Sequence, residues 1–189
     1  MQRIRAFNGK RLVIFIIIPV ILLTALVALD QISKYLAVKY IGINNSITNK
    51  PITVIENFFY LSCSTNPGAG FSFLADKEWG QLLFKIITPV ALTAFIWFYY
   101  FAVRKSYKWL TYSIVGIIAG TIGNYMDRLI NSEVVDFLSF QFGSYYFPTF
   151  NVADICLTVG VIMIIVHFLF LDENAIFKKK QTVKQDENS

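Results

Sequence analysis

FPTFNVADICLTVGVIMIIVHFLF, from Phe147 to Phe170, is the stretch on which the fold turns. After Asp154 it is almost wholly apolar until His167. Crossing a hydrocarbon core of about 30 Å takes roughly 20 such residues. Val152 to Leu171 meets that length. A carboxylate at the mouth of such a segment needs a reason. One reason is structural: Asn151 caps the helix, and Asp154 at its third position completes a capping box at the positive end of the helix dipole. The other is chemical, since an ionisable group at a membrane boundary is costly unless paired or used.

Three more segments have the same character: Leu12–Leu29, Leu82–Val103 and Trp109–Met126. Composition agrees, with 56% hydrophobic residues, 15% charged and a mean hydropathy of +0.55. Soluble domains carry roughly a quarter charged residues. The predicted class is an all-α multi-pass membrane protein, a four-transmembrane-helix bundle with a small extracytoplasmic β-element and a short interfacial helix, forming one membrane-embedded domain over residues 1–171. Residues 172–189 are expected to be a basic, disordered cytoplasmic tail. The first segment is long for a cleaved signal, and ALDQISKYL offers no small-x-small cleavage site, so it stays as an anchor.

The formal net charge of +5 sits beside the apolar runs, which points to a membrane rather than to nucleic acid. Arg3, Arg5, Lys10 and Arg11 precede the first segment. Arg104, Lys105 and Lys108 separate the second and third, and Lys178, Lys179, Lys180 and Lys184 follow the fourth. Four crossings put all three sets on one side, the cytoplasm, with both termini. Pro19 and Pro89 lie inside spans, where neighbouring helices must satisfy the freed carbonyls. Gly116, Gly120 and Gly123 read as a close-packing face.

The extracytoplasmic region, about residues 30–81, mixes β-branched and aromatic residues with Asn, Pro and Gly. It predicts short strands and turns, with ADKEWGQLLFK starting a short interfacial helix. Cys63 and Cys156 suit neither a disulfide framework nor a zinc site and read as free thiols.

The antiparallel path brings Asp30, Lys34, Asn124, Asp127, Arg128, Asp136, Asn151 and Asp154 to one outer layer. Asp30 and Lys34 have ion-pair spacing on a helix, a structural role first. Asp127 and Arg128 read as loop charges or a clamp. TNPGAG, with Asn66 and Gly68, is a turn that also offers backbone groups to a bound peptide. Asp136, in EVVDFLSF, has apolar neighbours and no adjacent cation, which raises a carboxyl pKa. Two such acids brought together share one proton, as in an aspartic protease dyad. His167 is a packed histidine far from the acids. Neither a phosphate loop nor an HExxH motif is present. A proton-coupled carrier, a Ser–Lys peptidase using Lys34 and Ser72, and a membrane scaffold are the competing readings.

ALDQISKYL, TNPGAGFSF, GNYMDRL, VVDFLSF and FNVADICLTVG, in this order, resemble lipoprotein signal peptidase, or signal peptidase II. Pro67 and Gly70 depart from the residues usual in that family. The resemblance implies a four-helix fold with a small β-element and a short helix over the site. It implies a membrane aspartic endopeptidase of the bacterial inner membrane that cuts prolipoproteins before a diacylglyceryl-modified cysteine. Asp136 and Asp154 would be catalytic. Asp30, Lys34, Asn66, Gly68, Asn124, Asp127, Arg128 and Asn151 would shape the site. Neither metal nor other cofactor is expected. The expected partners are prolipoprotein substrates and membrane lipids, with the chain acting as a monomer.

Overall fold

A computed structural model of the protein describes residues 9–67 and 80–172. Four long helices occur among them. The first runs from Gly9–Leu12 through a π-helical turn, Val13–Ile17, into α1 (Ile18–Tyr40). The others are α2 (Gly80–Lys105), α3 (Lys108–Asn131) and α4 (Val152–Val166), the last prolonged by a π-helical turn at His167–Leu171. By length and apolarity, residues 9–45, 82–105 and 152–171 can each cross a membrane. Trp109–Met126, predicted as a span, lies within α3, the most enclosed of the four helices.

Both prolines find the compensation that an apolar environment demands. Pro19 cannot bond the carbonyl of Phe15, and the π turn diverts the Ile18 N–H to Val13. The freed oxygens of Phe15 and Ile14 accept the hydroxyls of Tyr99 from α2 and Tyr112 from α3. Pro89 leaves the carbonyl of Lys85 without its helical donor, and Tyr125 of α3 donates to it at 3.2 Å. Each breach in a helix ladder is thus closed by a tyrosine from another helix.

α3 packs against α1, α2 and α4, whereas α2 and α4 have no substantial contact with each other. The α3–α4 seam is made by glycines, as their spacing predicts. A Cβ on Gly116 would lie 3.3 Å from the Cys156 carbonyl, and one on Gly120 would collide with the Ala153 carbonyl. Gly160 answers from α4, where a Cβ would come within 2.8 Å of the Ser113 carbonyl.

The helices carry an antiparallel sheet of β1 (Ile52–Ile55), β2 (Phe59–Asn66), β3 (Val134–Phe142) and β4 (Tyr145–Tyr146), in that order. Ala37 and Ile41 at the end of α1 pack on Cys63, Val135 and Phe137, fixing the sheet to the bundle. Register sets Ser64 opposite Asp136 and Asn66 opposite Val134. Phe150 then bridges to Leu138 and leads the chain into α4.

Two differences from the expectations stand out. The first helix continues past Leu29 to Tyr40. The small β-element expected beside the helices is present as a four-stranded antiparallel sheet. Half of that sheet comes from residues 134–146, read as loop, because β3 gains its partner only from a strand distant in sequence. The expected interfacial helix falls mostly outside the described residues, and by Gly80 the chain is already in α2. Cys63 is buried, Cys156 is half-buried, and both are free thiols.

Candidate functional site

The site begins with the cap of α4. Asp154 N–H donates to Asn151 Oδ1 at 3.0 Å, and Asn151 N–H donates back to Asp154 Oδ2 at 3.2 Å, so the capping box is complete. This fixes the amide orientation of Asn151, because its oxygen is committed to a backbone donor. Its Nδ2 must point the other way, and it donates to Asp136 Oδ1 at 2.7 Å. One fully buried side chain therefore joins the two acids that the sequence singled out.

Asp136 stands on β3, 4% exposed, and also accepts from Asn66 Nδ2 at 3.3 Å. Burial, and then the neighbouring Asp154 carboxylate, push its pKa up to about 6 despite the two asparagine donors. Asp154 accepts a second side-chain bond, from Asn124 Nδ2 at 2.8 Å. Asn124 Oδ1 in turn accepts from Asn151 and from Lys34.

Lys34 sits beneath, 3% exposed. Its ammonium lies 2.9 Å from each of Asp30 Oδ2, Asp127 Oδ2 and Asn124 Oδ1, so its three N–H bonds are all used. The helical Asp30–Lys34 pair is present as its spacing predicts. Asp30 also accepts the Ala153 N–H at 2.8 Å, so α1 caps the first turn of α4. Asp127 accepts the Val135 N–H at 3.2 Å and fixes the start of β3. The ion cluster thus positions the two elements that bear Asp154 and Asp136.

The acids open onto a cavity of about 600 Å³ between α2, α3 and α4. Asn66, Asn124 and Arg128 line its polar end, and Phe84, Ile155 and Leu157 line its apolar walls. Arg128 donates to the Asn124 carbonyl at 3.3 Å and lies over the Phe84 ring, 5.1 Å from its centroid. Among the described residues, no group of three or more His, Cys, Asp or Glu is placed to hold a metal ion.

Of the residues singled out in the sequence, Asp30, Lys34, Asn66, Asn124, Asp127, Arg128, Asp136, Asn151 and Asp154 meet in this network or at its cavity. Gly68 and Ser72 lie outside the described residues. His167 is buried at the opposite end of α4, 3.8 Å from Asp172 and packed on Tyr107. Sequence reasoning missed Gln31, whose Nε2 donates to Asp30, Asp127 and the Gly123 carbonyl. It also missed Ser64, which meets Thr149 at 3.2 Å in the strap leading to Asn151. Gln31 had one signal, its place between Asp30 and Lys34. Ser64 had none, because its role comes from the β2–β3 register.

The architecture is that of a membrane enzyme. Two solved structures, each described as a bacterial membrane enzyme studied by the in meso method, match it with a TM-score of 0.71 and 32% identity. The first covers 82% of this chain and 89% of its own, and the second covers 84% and 96%. The profile of the Signal peptidase (SPase) II family matches residues 20–170, and the chain belongs to that family. A lipoprotein signal peptidase of Geobacillus thermodenitrificans (strain NG80-2) is 36% identical over 163 residues, covering 86% of this chain and 94% of the relative. One of Geobacillus kaustophilus (strain HTA426) is 38% identical over 146 residues, covering 77% and 89%.

Proposed function

We propose that this protein is an aspartic endopeptidase of the bacterial inner membrane that removes signal peptides from prolipoproteins. The cut falls just before the diacylglyceryl-modified cysteine. The observation that carries this reading is the joining of Asp136 and Asp154 through Asn151 at one cavity mouth. The names of the relatives supply the substrate class.

Asp136, the buried acid with the raised pKa, holds the shared proton and donates it to the scissile carbonyl oxygen. Asp154 takes a proton from water as the water oxygen attacks the carbonyl carbon. When the tetrahedral diol collapses, the C–N bond breaks. The leaving nitrogen takes the proton from Asp154, and Asp136 recovers its own. Arg128 and Asn66 are the donors that hold substrate carbonyls at the cavity mouth. The reaction uses neither a covalent intermediate nor a metal. A Ser–Lys mechanism is disfavoured because every N–H of Lys34 is already committed to Asp30, Asp127 or Asn124.

In this reading α3 is a fourth crossing, and residues 1–171 form one domain acting as a monomer. Lys10, Arg11, Arg104, Lys105 and Lys108 mark the cytoplasmic side, so the acids face outward. The test is cleavage of a diacylated prolipoprotein by the purified enzyme in bilayer discs, with and without EDTA. Cleavage before the modified cysteine, unaffected by EDTA, is expected. A chelator-sensitive activity restored by a divalent ion defeats the metal-free dyad.

A further inference from the structure

Threonine hydroxyls in apolar helices usually bond back to the carbonyl four residues earlier, which hides them from lipid. Thr24, Thr93, Thr111 and Thr121 do so here, at 2.7–3.0 Å. Among the described residues, the hydroxyls of Thr88 on α2 and Thr158 on α4 make no such bond. Both line the cavity, on the two helices that face each other across it. Thr158 is one helical turn below Asp154, on the side of the bundle away from the sheet. An acyl chain offers these hydroxyls nothing. A peptide opened for hydrolysis does, because its unwound backbone exposes N–H and C=O groups that the bilayer cannot satisfy.

We infer that Thr88 and Thr158 form a pair of hydrogen-bonding posts that hold the extended substrate backbone on the signal-peptide side of the scissile bond. This rests on the peptidase reading and adds a role that the acids do not fill. They complete the reaction at the mouth, while the two hydroxyls stabilise the unwound segment below it. Thr88 serves one edge of the strand and Thr158 the other, which fixes the rotation of the peptide as well as its depth.

The test uses the full-length enzyme in bilayer discs and a synthetic diacylated prolipoprotein peptide. Thr88→Val and Thr158→Val keep the side-chain shape and remove the hydroxyl. Each is expected to lower kcat/KM about fivefold, the scale of one net hydrogen bond, with unchanged melting temperature. Thr88→Ser and Thr158→Ser restore most of the rate. Replacing a single backbone amide below the cut by an ester lowers the wild-type rate and has a smaller effect in the valine variant that lacks its partner. Valine variants that cleave within twofold of wild type overturn the inference and leave the peptidase reading intact. So does equal loss in valine and serine variants, which assigns the effect to packing. Failure of the wild type to cleave overturns the peptidase reading and this inference with it.

Discussion

Asn151 donates to Asp136 at 2.7 Å from an amide whose orientation is dictated by the cap of α4. A helix start and a catalytic candidate on a strand thus share one side chain. The capping role and the chemical role of this region, alternatives when the sequence is read alone, coexist in the same atoms.

Asp136→Asn and Asp154→Asn are expected to lower cleavage about a thousandfold each, within the range ascribed to a positioned acid or base. Both proteins should insert and melt cooperatively, because an asparagine fills the same volume. Turnover within tenfold of wild type by either variant ends the dyad mechanism.

The raised pKa of Asp136 has a sign that can be checked. Its folded pKa of about 6 exceeds the ordinary carboxyl value of 3.8, so the native state binds the extra proton between those values. This contribution to stability is full below the lower value and is lost as pH rises to the upper one. The loss is at most about 3 kcal/mol. In thermal melts, Asp136→Asn should gain on wild type from pH 4 to pH 7 and run parallel above that. In the rate profile, kcat/KM should fall as pH rises past about 6, with apparent pKa values that belong to the pair. A flat stability difference refutes the assignment.

Lys34→Met leaves Asp30 and Asp127 buried together without their cation. Destabilisation by about 3–5 kcal/mol is expected. Adding Asp30→Asn should return part of it, since one carboxylate is then neutral while Oδ1 can still accept the Ala153 N–H. Equal stability of the single and double variants contradicts the network.

Gly123→Ala would place a methyl 2.5 Å from Asp30 Oδ2 and 3.1 Å from the Ala153 Cβ. A cost of about 1–3 kcal/mol and a matching loss of turnover are expected, because Asp30 is pushed off the start of α4. Gly116→Ala, whose nearest neighbour would be the Cys156 carbonyl at 3.3 Å, should cost less. The order of the two melting temperatures checks this.

Tyr125→Phe strips the donor from the Lys85 carbonyl that Pro89 leaves open. About 1 kcal/mol should be lost. In a Pro89→Ala background that carbonyl regains its helical N–H, and the same change should be nearly neutral. A double-mutant cycle with no coupling rules the compensation out.

The parts of the site governed by local spacing could be read from the chain. The Asn151–Asp154 box, the Asp30–Lys34 pair and the glycine face of α3 each follow from helical periodicity, and each is present. The antiparallel path also placed Lys34, Asn124 and Asp127 in one layer, so what escaped was which groups of distant segments pair. Lys34 reaches Asp127 and Asn124 only because α1 crosses α3 at Gly123. β3 became a strand because β2 lies beside it, and Ser64 meets Asp136 only through the register of those two strands. Periodicity identifies which groups lie on one face of an element but not which distant element will face them.

Because α2 and α4 both lean on α3 without substantial contact with each other, the described residues leave the chamber beside Asp136 and Asp154 a flank between two helices that do not pack together. For the proposed reaction, a precursor anchored in lipid can slide into the chamber sideways and never needs to leave the membrane plane. The search is then two-dimensional, and its rate should follow the mole fraction of precursor among lipids. Diluting a fixed number of loaded vesicles in buffer should leave turnover unchanged, whereas adding plain lipid to each vesicle should slow it.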